Sequence, residues 1–271
     1  MLQAAFLAGI ARASVETDWL EGFNSKTRLS AGLVETAGTK KLYAFVEVEM
    51  PEGWKTYWRN PGDAGGLPPS FSWTRSENLA KAEVLYPAPS RLTDQAGETI
   101  GYHDRVIFPV AIEAKDPAKP VVLALDMHFG ICKDICVPSE AALRVEIAAG
   151  DASGPASDDA AATVARVPRK EGERRTGDPK LVRATLDVAG SKPKLVVEAK
   201  FPGGSGVDAF VDAPDGLYVP MFTRNSKDGA EIQVFEAELG PALEPSELKG
   251  KSLAITLVSD AGQSETVFKV E

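Results

Sequence analysis

The stretch MHFGICKDICVP, residues 127–138, contains the only two cysteines of the 271-residue chain, Cys132 and Cys136, with three residues between them. In the chain-entropy model, a disulfide that closes a ring of about five residues adds only roughly 2 kcal/mol of stability. A chain of this length can bury a sizeable apolar core without cross-links. We therefore favour a redox-active pair, which cycles between dithiol and disulfide, over a structural staple.

A metal site is the main alternative for the same stretch. His128, Cys132 and Cys136 recur at every fourth position and would share one face if the segment were helical. Met127 adds a soft thioether, which suits Cu(I), whereas a Cys2His set suits zinc. The glycine, the β-branched residues and the proline of the stretch disfavour a helix. Metal binding by Cys132, Cys136 and His128 stays open, as do two unrelated buried thiols.

Two motifs carry a specific resemblance. The run GICKDICVP, residues 130–138, together with GWKTYWRNPGDAGGLPPSFSW, residues 53–73, resembles the periplasmic N-terminal domain of the DsbD family of disulfide reductases. Within that family it is similar to the ScsB-like branch, which is associated with copper tolerance. The resemblance covers roughly residues 18–150 and is weaker beyond them.

The resemblance implies a thiol–disulfide oxidoreductase with an immunoglobulin-like fold and no cofactor. Its cysteine pair would take electrons from a membrane-embedded DsbD- or ScsB-like donor and pass them to periplasmic thioredoxin-fold proteins. Cys136 would form the mixed disulfide with a partner, and Cys132 would resolve it. The two charged neighbours act in opposite directions, because Lys133 would lower a thiol pKa and Asp134 would raise it.

Residues 59–69 are too rich in glycine and proline for a regular element. One interpretation is that this segment is a surface connection and that the aromatic residues on either side of it belong to the core. The other is a loop folded over the cysteine pair, because the resemblance implies such a cap loop. The sequence identifies no capping side chain. The aromatic residues that flank this segment are Trp54, Tyr57, Trp58, Phe71 and Trp73.

Apolar residues alternate with a period near two through both halves of the chain, which indicates β-strands separated by turns rich in glycine and proline. We predict an all-β protein of two immunoglobulin-like β-sandwich domains. The first set of predicted strands covers residues 42–48, 54–58, 70–73, 82–86, 106–112, 121–129 and 142–147. The second set covers residues 182–188, 194–199, 209–211, 217–219, 232–239, 253–258 and 266–270.

We predict that the chain has four parts. Residues 1–17 are expected to be a signal-peptide remnant or a flexible terminus, and residues 18–150, which the resemblance covers, the DsbD N-terminal-like redox domain. The composition predicts a linker at 151–177 and a second domain at 178–271 without cysteine or histidine. The linker contains a helix-permissive segment, 159–167, and a charged run, 169–175, which we interpret as a solvated face. The apolar residues 4–10, followed by Ala11-Arg12-Ala13, favour export to the periplasm.

Composition also excludes several functions. A net charge of −9 and a pI near 5.0 argue against nucleic-acid binding, because phosphates would be repelled. No apolar run approaches the length of a membrane span, so a separate transmembrane electron donor is expected. Nucleotide-binding, zinc-protease and serine-hydrolase motifs are missing from the sequence. We interpret His103, in GYHDR, as a loop residue.

Overall fold

The computed structural model describes residues 15–271, except 37, 95–96, 149–157, 191, 228 and 241–242. The apolar segment and Ala11-Arg12-Ala13, on which the signal-peptide prediction rests, lie outside the described residues. Among the described residues, no helix has the length and apolar character needed to cross a membrane.

The first half of the chain forms two facing antiparallel sheets. One sheet has the strand order β1-β3-β4-β10-β7, with β2 beside β3, and the other has the order β12-β11-β5-β9-β8, with β6 beside β11. The strands are β1 (Val15–Glu16), β2 (Leu20–Gly22), β3 (Ser25–Thr36), β4 (Thr39–Glu49), β5 (Lys55–Tyr57), β6 (Ser70–Ser72), β7 (Leu79–Val84), β8 (Ser90–Asp94), β9 (Gly97–His103), β10 (Arg105–Ala114), β11 (Val121–Cys132) and β12 (Cys136–Ile147).

The core of this sandwich lies between the two sheets. Along β12, alternate side chains from Ala141 to Ile147 are buried and those between them are exposed, as a half-buried strand requires. β11 is buried along most of its length, because β12 lies along one of its edges and β5, β6 and residue 67 lie along the other. The innermost core residues include Val46, Val48, Phe108, Val110, Leu123, Leu125, Met127 and Phe129.

The second half forms a smaller sandwich of two four-stranded sheets, with the orders β13-β20-β19-β16 and β14-β15-β18-β17. Its own core includes Leu195, Val197, Phe235, Leu253 and Ile255. The strands are β13 (Arg169–Lys170), β14 (Lys180–Asp187), β15 (Lys194–Lys200), β16 (Asp208–Asp212), β17 (Thr223–Arg224), β18 (Ile232–Glu238), β19 (Ser252–Ser259) and β20 (Gly262–Lys269). The helices are α1 (Asp158–Ala165), α2 (Pro245–Leu248) and the 3-10 turns Glu171–Glu173 and Pro214–Gly216.

The all-β prediction is confirmed, with local corrections in three places. The strand predicted at residues 217–219 is wrong, because prolines at 214 and 220 bracket it and a 3-10 turn, Pro214–Gly216, precedes it. The strands β1, β2, β3, β8, β9, β13 and β17 were not predicted, and His103 ends β9 instead of lying in a loop. The charged run at 169–175 is not only a solvated face, since Arg169 belongs to β13 and makes a bidentate ion pair with the buried Asp178.

The two sandwiches meet on a shared interface. Phe210 and Met221 of the second sandwich pack into the core of the first, where the Phe210 and Trp58 ring centroids are 6.0 Å apart. The Arg91 guanidinium donates two hydrogen bonds, of 3.0 and 3.1 Å, to the Asp208 carboxylate. The division into domains at 18–150 and 178–271 stays a proposal, with β13 joined to the second sandwich by its pairing.

Candidate redox site

The two cysteines face each other at the tip of the β11–β12 hairpin. The strands pair in register from Val121↔Ile147 to Cys132↔Cys136, which leaves three residues in the connecting loop. The Cα atoms of the cysteines are 4.2 Å apart and their sulfurs form a disulfide. Directly opposed residues on antiparallel strands approach this closely where the pair makes no backbone hydrogen bonds, so the hairpin register itself brings the sulfurs together.

The two cysteines differ in their access to solvent. Cys132 is 1% exposed, because β5 covers it on the side away from β12 and places Lys55 directly across from it. Cys136 lies on the outer strand of the sheet and is exposed, as is the rest of the hairpin tip, where the side chain of Ile135 is 65% exposed. Cys136 is therefore the more accessible of the two cysteines.

Tyr57 covers the disulfide from β5. Its hydroxyl oxygen lies 2.8 Å from Sγ of Cys132 and 2.9 Å from Sγ of Cys136, and the residue is 2% exposed. Disulfide sulfurs carry no hydrogen, so the hydroxyl is the donor in these contacts. Burial, together with the charge of Asp94, raises the pKa of Tyr57 above its usual value, which keeps the hydroxyl protonated at neutral pH.

Residues 59–69, here called the cap loop, pack against Tyr57 and the hairpin. A Cβ atom at Gly66 would overlap the Tyr57 ring, and the φ of +153° at this position also favours glycine. The amide of Gly130 donates a 2.9 Å hydrogen bond to the carbonyl of Leu67. The cap loop thus holds the outer face of Tyr57, and Tyr57 in turn contacts both sulfurs.

A cavity of about 290 Å³ opens beside Cys132. Lys55, which is 4% exposed, lies in its wall and is fixed by the Asp94 carboxylate at 2.6 Å and by the Thr99 hydroxyl at 2.8 Å. Lys133 and Asp134, the charged neighbours singled out in the sequence, also line this cavity. The site therefore places a buried cation and a partly buried anion close to the less accessible cysteine.

The residues of the metal alternative are only partly brought together. The segment is a hairpin rather than a helix, and Met127 is buried in the sandwich core on the face opposite to Cys132. His128 is exposed, and its Nδ1 lies 3.3 Å from the Glu140 carboxylate. Within the described ranges, no group of three His, Cys, Asp or Glu side chains is arranged to hold a metal ion.

Sequence reasoning missed Tyr57 and Lys55 as parts of the site. Tyr57 was considered only as one of five aromatic residues around the cap loop, and Lys55 was not considered. A usable signal was present, because residues 55 and 57 share one face of the predicted strand 54–58 and a buried tyrosine hydroxyl or lysine ammonium needs a polar partner. Only the pairing of β5 with β11, across 75 positions of sequence, shows that the partners of Tyr57 are the sulfurs.

Comparison with known proteins found a matching family model and a similar fold. Residues 32–146, which include both cysteines and the cap loop, match the family model described as "Thiol:disulfide interchange protein DsbD, N-terminal". The fold is similar to that of the N-terminal periplasmic domain of ScsB from Proteus mirabilis, with a TM-score of 0.70 and 20% sequence identity, covering 95% of this chain and 99% of that one. The comparison with curated protein sequences found no match.

Proposed function

Because residues 32–146 form a DsbD-like N-terminal domain, we propose that the chain is a periplasmic electron relay that works through the Cys132–Cys136 pair. It would receive two electrons from a membrane-embedded DsbD- or ScsB-like dithiol and pass them to thioredoxin-fold proteins. The observation that carries the proposal is the disulfide at an exposed hairpin tip, with one accessible cysteine, one buried cysteine and a tyrosine hydroxyl on both sulfurs.

The reaction is two successive thiol–disulfide exchanges. In the reduced protein, the Cys136 thiolate attacks one sulfur of the partner disulfide, forms a mixed disulfide and releases the first partner thiolate. The Cys132 thiolate then attacks Sγ of Cys136, which releases the second partner thiolate and closes the Cys132–Cys136 disulfide. Two electrons have passed to the partner, whose thiolates take up two protons. A dithiol of the membrane donor reverses both steps on this chain and restores the reduced pair.

The exposure of the two cysteines supports their separate roles. In-line attack requires the Cys136 sulfur to lie along the axis of the partner S–S bond that breaks. The attacking cysteine must therefore be accessible to the partner. Cys136 meets this requirement, whereas Cys132 is enclosed by β5 and Tyr57. Cys132 needs to reach only Cys136, directly across the hairpin, and so suits the resolving role.

Trapping of mixed disulfides tests these roles. A Cys132→Ala variant is expected to accumulate a mixed disulfide with thioredoxin-fold proteins in a periplasmic extract, because the resolving thiol is missing. Cys136→Ala is the matched control, since it also keeps one thiol, and it is expected to trap nothing. Trapping by Cys136→Ala alone would reverse the roles, and trapping by neither variant would refute the relay.

The reduction potential separates a relay from a structural disulfide and from a copper site. Titration against glutathione or dithiothreitol is expected to be reversible with two electrons, at about −120 to −270 mV, as for known exchange proteins. A potential below about −300 mV would indicate a structural bond. The same titration with Cu(I) tests the alternative function, a copper-binding module linked to copper tolerance that uses Cys132, Cys136 and His128. Tight stoichiometric binding of Cu(I) by the dithiol would favour that function.

A further inference from the structure

The second sandwich is bonded to the base of the cap loop. The Asn60 side chain, 8% exposed, donates a 2.8 Å hydrogen bond to the carbonyl of Val211, and its own carbonyl accepts the amide of Gly62 at 3.1 Å. The Asp63 carboxylate accepts the amide of Met221 at 2.7 Å.

A tyrosine and an arginine add to this attachment. The Tyr218 hydroxyl donates to the same Asp63 oxygen, and burial together with this hydrogen bond raises the pKa of Tyr218. Arg59, at the start of the loop, forms ion pairs with Asp212 and Glu265 of the second sandwich. Every residue of the loop that has a charged or carboxamide side chain is therefore bound to the second sandwich.

The tip of the same loop contacts the redox site. Gly66, three residues after Asp63, packs on the Tyr57 ring, and Leu67 accepts the Gly130 amide. Two backbone hydrogen bonds to β9 also hold the base, from Ile100 to Pro61 and from Ala64 to Glu98. The loop sequence between these anchors consists mainly of glycine and small residues, so it has little conformational preference of its own and depends on such attachments.

We propose that the second sandwich positions the cap loop over Tyr57 and thereby controls access to the Cys132–Cys136 disulfide. Asn60 and Asp63 are the positioning residues, and they act through the loop and Tyr57 without touching the sulfurs. The proposal deepens the proposed function and rests on it, since it assigns the cysteine-free half of the chain a task in thiol exchange. It also explains why residues of the second half are bonded to a loop that belongs to the first.

The test removes the attachment from both sides. Asp63→Ala removes the acceptor of two hydrogen bonds, and Tyr218→Phe removes one donor at a position far from the cysteines in sequence. Asp63→Asn keeps an oxygen for both donors and is the conservative variant. Ser264→Ala is the matched control, because it deletes a hydroxyl hydrogen bond within the second sandwich, to the Pro179 carbonyl, and leaves the bonds of Asn60 and Asp63 in place.

Two readouts report on the loop in the full chain. The first is the second-order rate constant for reduction of the disulfide by dithiothreitol, which needs access to sulfur and no protein partner. The second is hydrogen exchange of the Gly130 amide, whose acceptor is the carbonyl of Leu67. We expect both rates to rise about tenfold in Asp63→Ala and about threefold in Tyr218→Phe, the factors that the loss of hydrogen bonds of ordinary strength gives.

Asp63→Asn and Ser264→Ala are expected to stay close to the wild-type protein in both readouts. Wild-type rates in Tyr218→Phe and Asp63→Ala would overturn the proposal, and so would an equal rise in Ser264→Ala. If Asp63→Ala does not fold, Tyr218→Phe decides alone. Because neither readout involves a partner protein, a failure of the relay appears in the trapping experiment and a failure of the loop attachment appears here.

Discussion

Replacing Tyr57 by phenylalanine tests the chemical role of the hydroxyl that contacts both sulfurs. Phe keeps the ring on which Gly66 packs and removes only the donor that lies 2.9 Å from Sγ of Cys136. A hydrogen bond to a charged acceptor contributes about 1.5–3 kcal/mol and one to a neutral acceptor about 0.5–1.5 kcal/mol. The hydroxyl therefore stabilises a thiolate more than a thiol, by about 1 kcal/mol.

That difference corresponds to a rise of about 0.7 unit in the thiol pKa of the variant. From an ordinary thiol pKa of about 8.5, the thiolate fraction at pH 7 falls about fivefold. The nucleophilicity of each thiolate rises about twofold, because it increases with pKa with a Brønsted coefficient of about 0.4–0.5. The net rate of attack at pH 7 is expected to fall about two- to threefold, and the order of the two proteins is expected to reverse at about pH 9.

The assay is the pH dependence of alkylation by iodoacetamide in a Cys132→Ala background, where Cys136 alone titrates. Tyr102→Phe is the matched control, because it deletes a buried tyrosine hydroxyl that donates to the Pro87 carbonyl and does not touch the sulfurs. A Cys136 pKa that is equal, within about 0.2 unit, in Tyr57→Phe and in the control would refute the role of the hydroxyl. We also expect the Cys136 pKa of the otherwise unchanged site to stay above about 6, because the cysteines lie on a β-hairpin rather than at a helix N-terminus.

Three further predictions follow from the contacts of the site and of the second sandwich. Gly66→Ala is expected to displace the Tyr57 ring, because the new Cβ overlaps it. The variant should therefore be reduced faster by dithiothreitol and lose about 1–3 kcal/mol of unfolding free energy in urea. Unchanged reduction kinetics would contradict the packing of Gly66 on Tyr57. Asp94→Ala leaves Lys55 buried with only the Thr99 hydroxyl as a partner, so a loss of about 3 kcal/mol is expected, against less than about 1 kcal/mol for Glu83→Ala at an exposed ion pair. Equal losses would contradict the burial of Lys55. Burial raises the pKa of Asp178, but hydrogen bonds from Arg169 and from the Arg175 amide outweigh it and hold the net pKa below its usual value. The carboxylate therefore contributes stability that is fully present above about pH 4 and is lost as the pH falls through the lowered pKa, so the difference in unfolding free energy between the wild-type protein and Asp178→Asn should shrink in acid and stay constant between pH 5 and 7.

The sequence by itself determined the fold class and singled out the two cysteines as the candidate site. Strict alternation of apolar and polar residues, as along β12, follows directly from the period of a strand, so most strands were placed to within a few residues. The two cysteines were identified from their spacing alone, because a ring this small adds little stability. The exceptions were strands such as β9, where Gly97, Gly101 and His103 interrupt the apolar pattern.

Tertiary structure decided which residues surround the sulfurs and which loop of the first half the second half of the chain contacts. Tyr57 and Lys55 reach the cysteines because β5 pairs with β11, and strand pairing across a long separation leaves no local trace in sequence. The same holds for Asn60 and Asp63, whose partners in the second sandwich lie about 150 residues away. Local periodicity sets which side chains of a strand face the core, whereas the neighbours of a strand depend on how the whole chain packs.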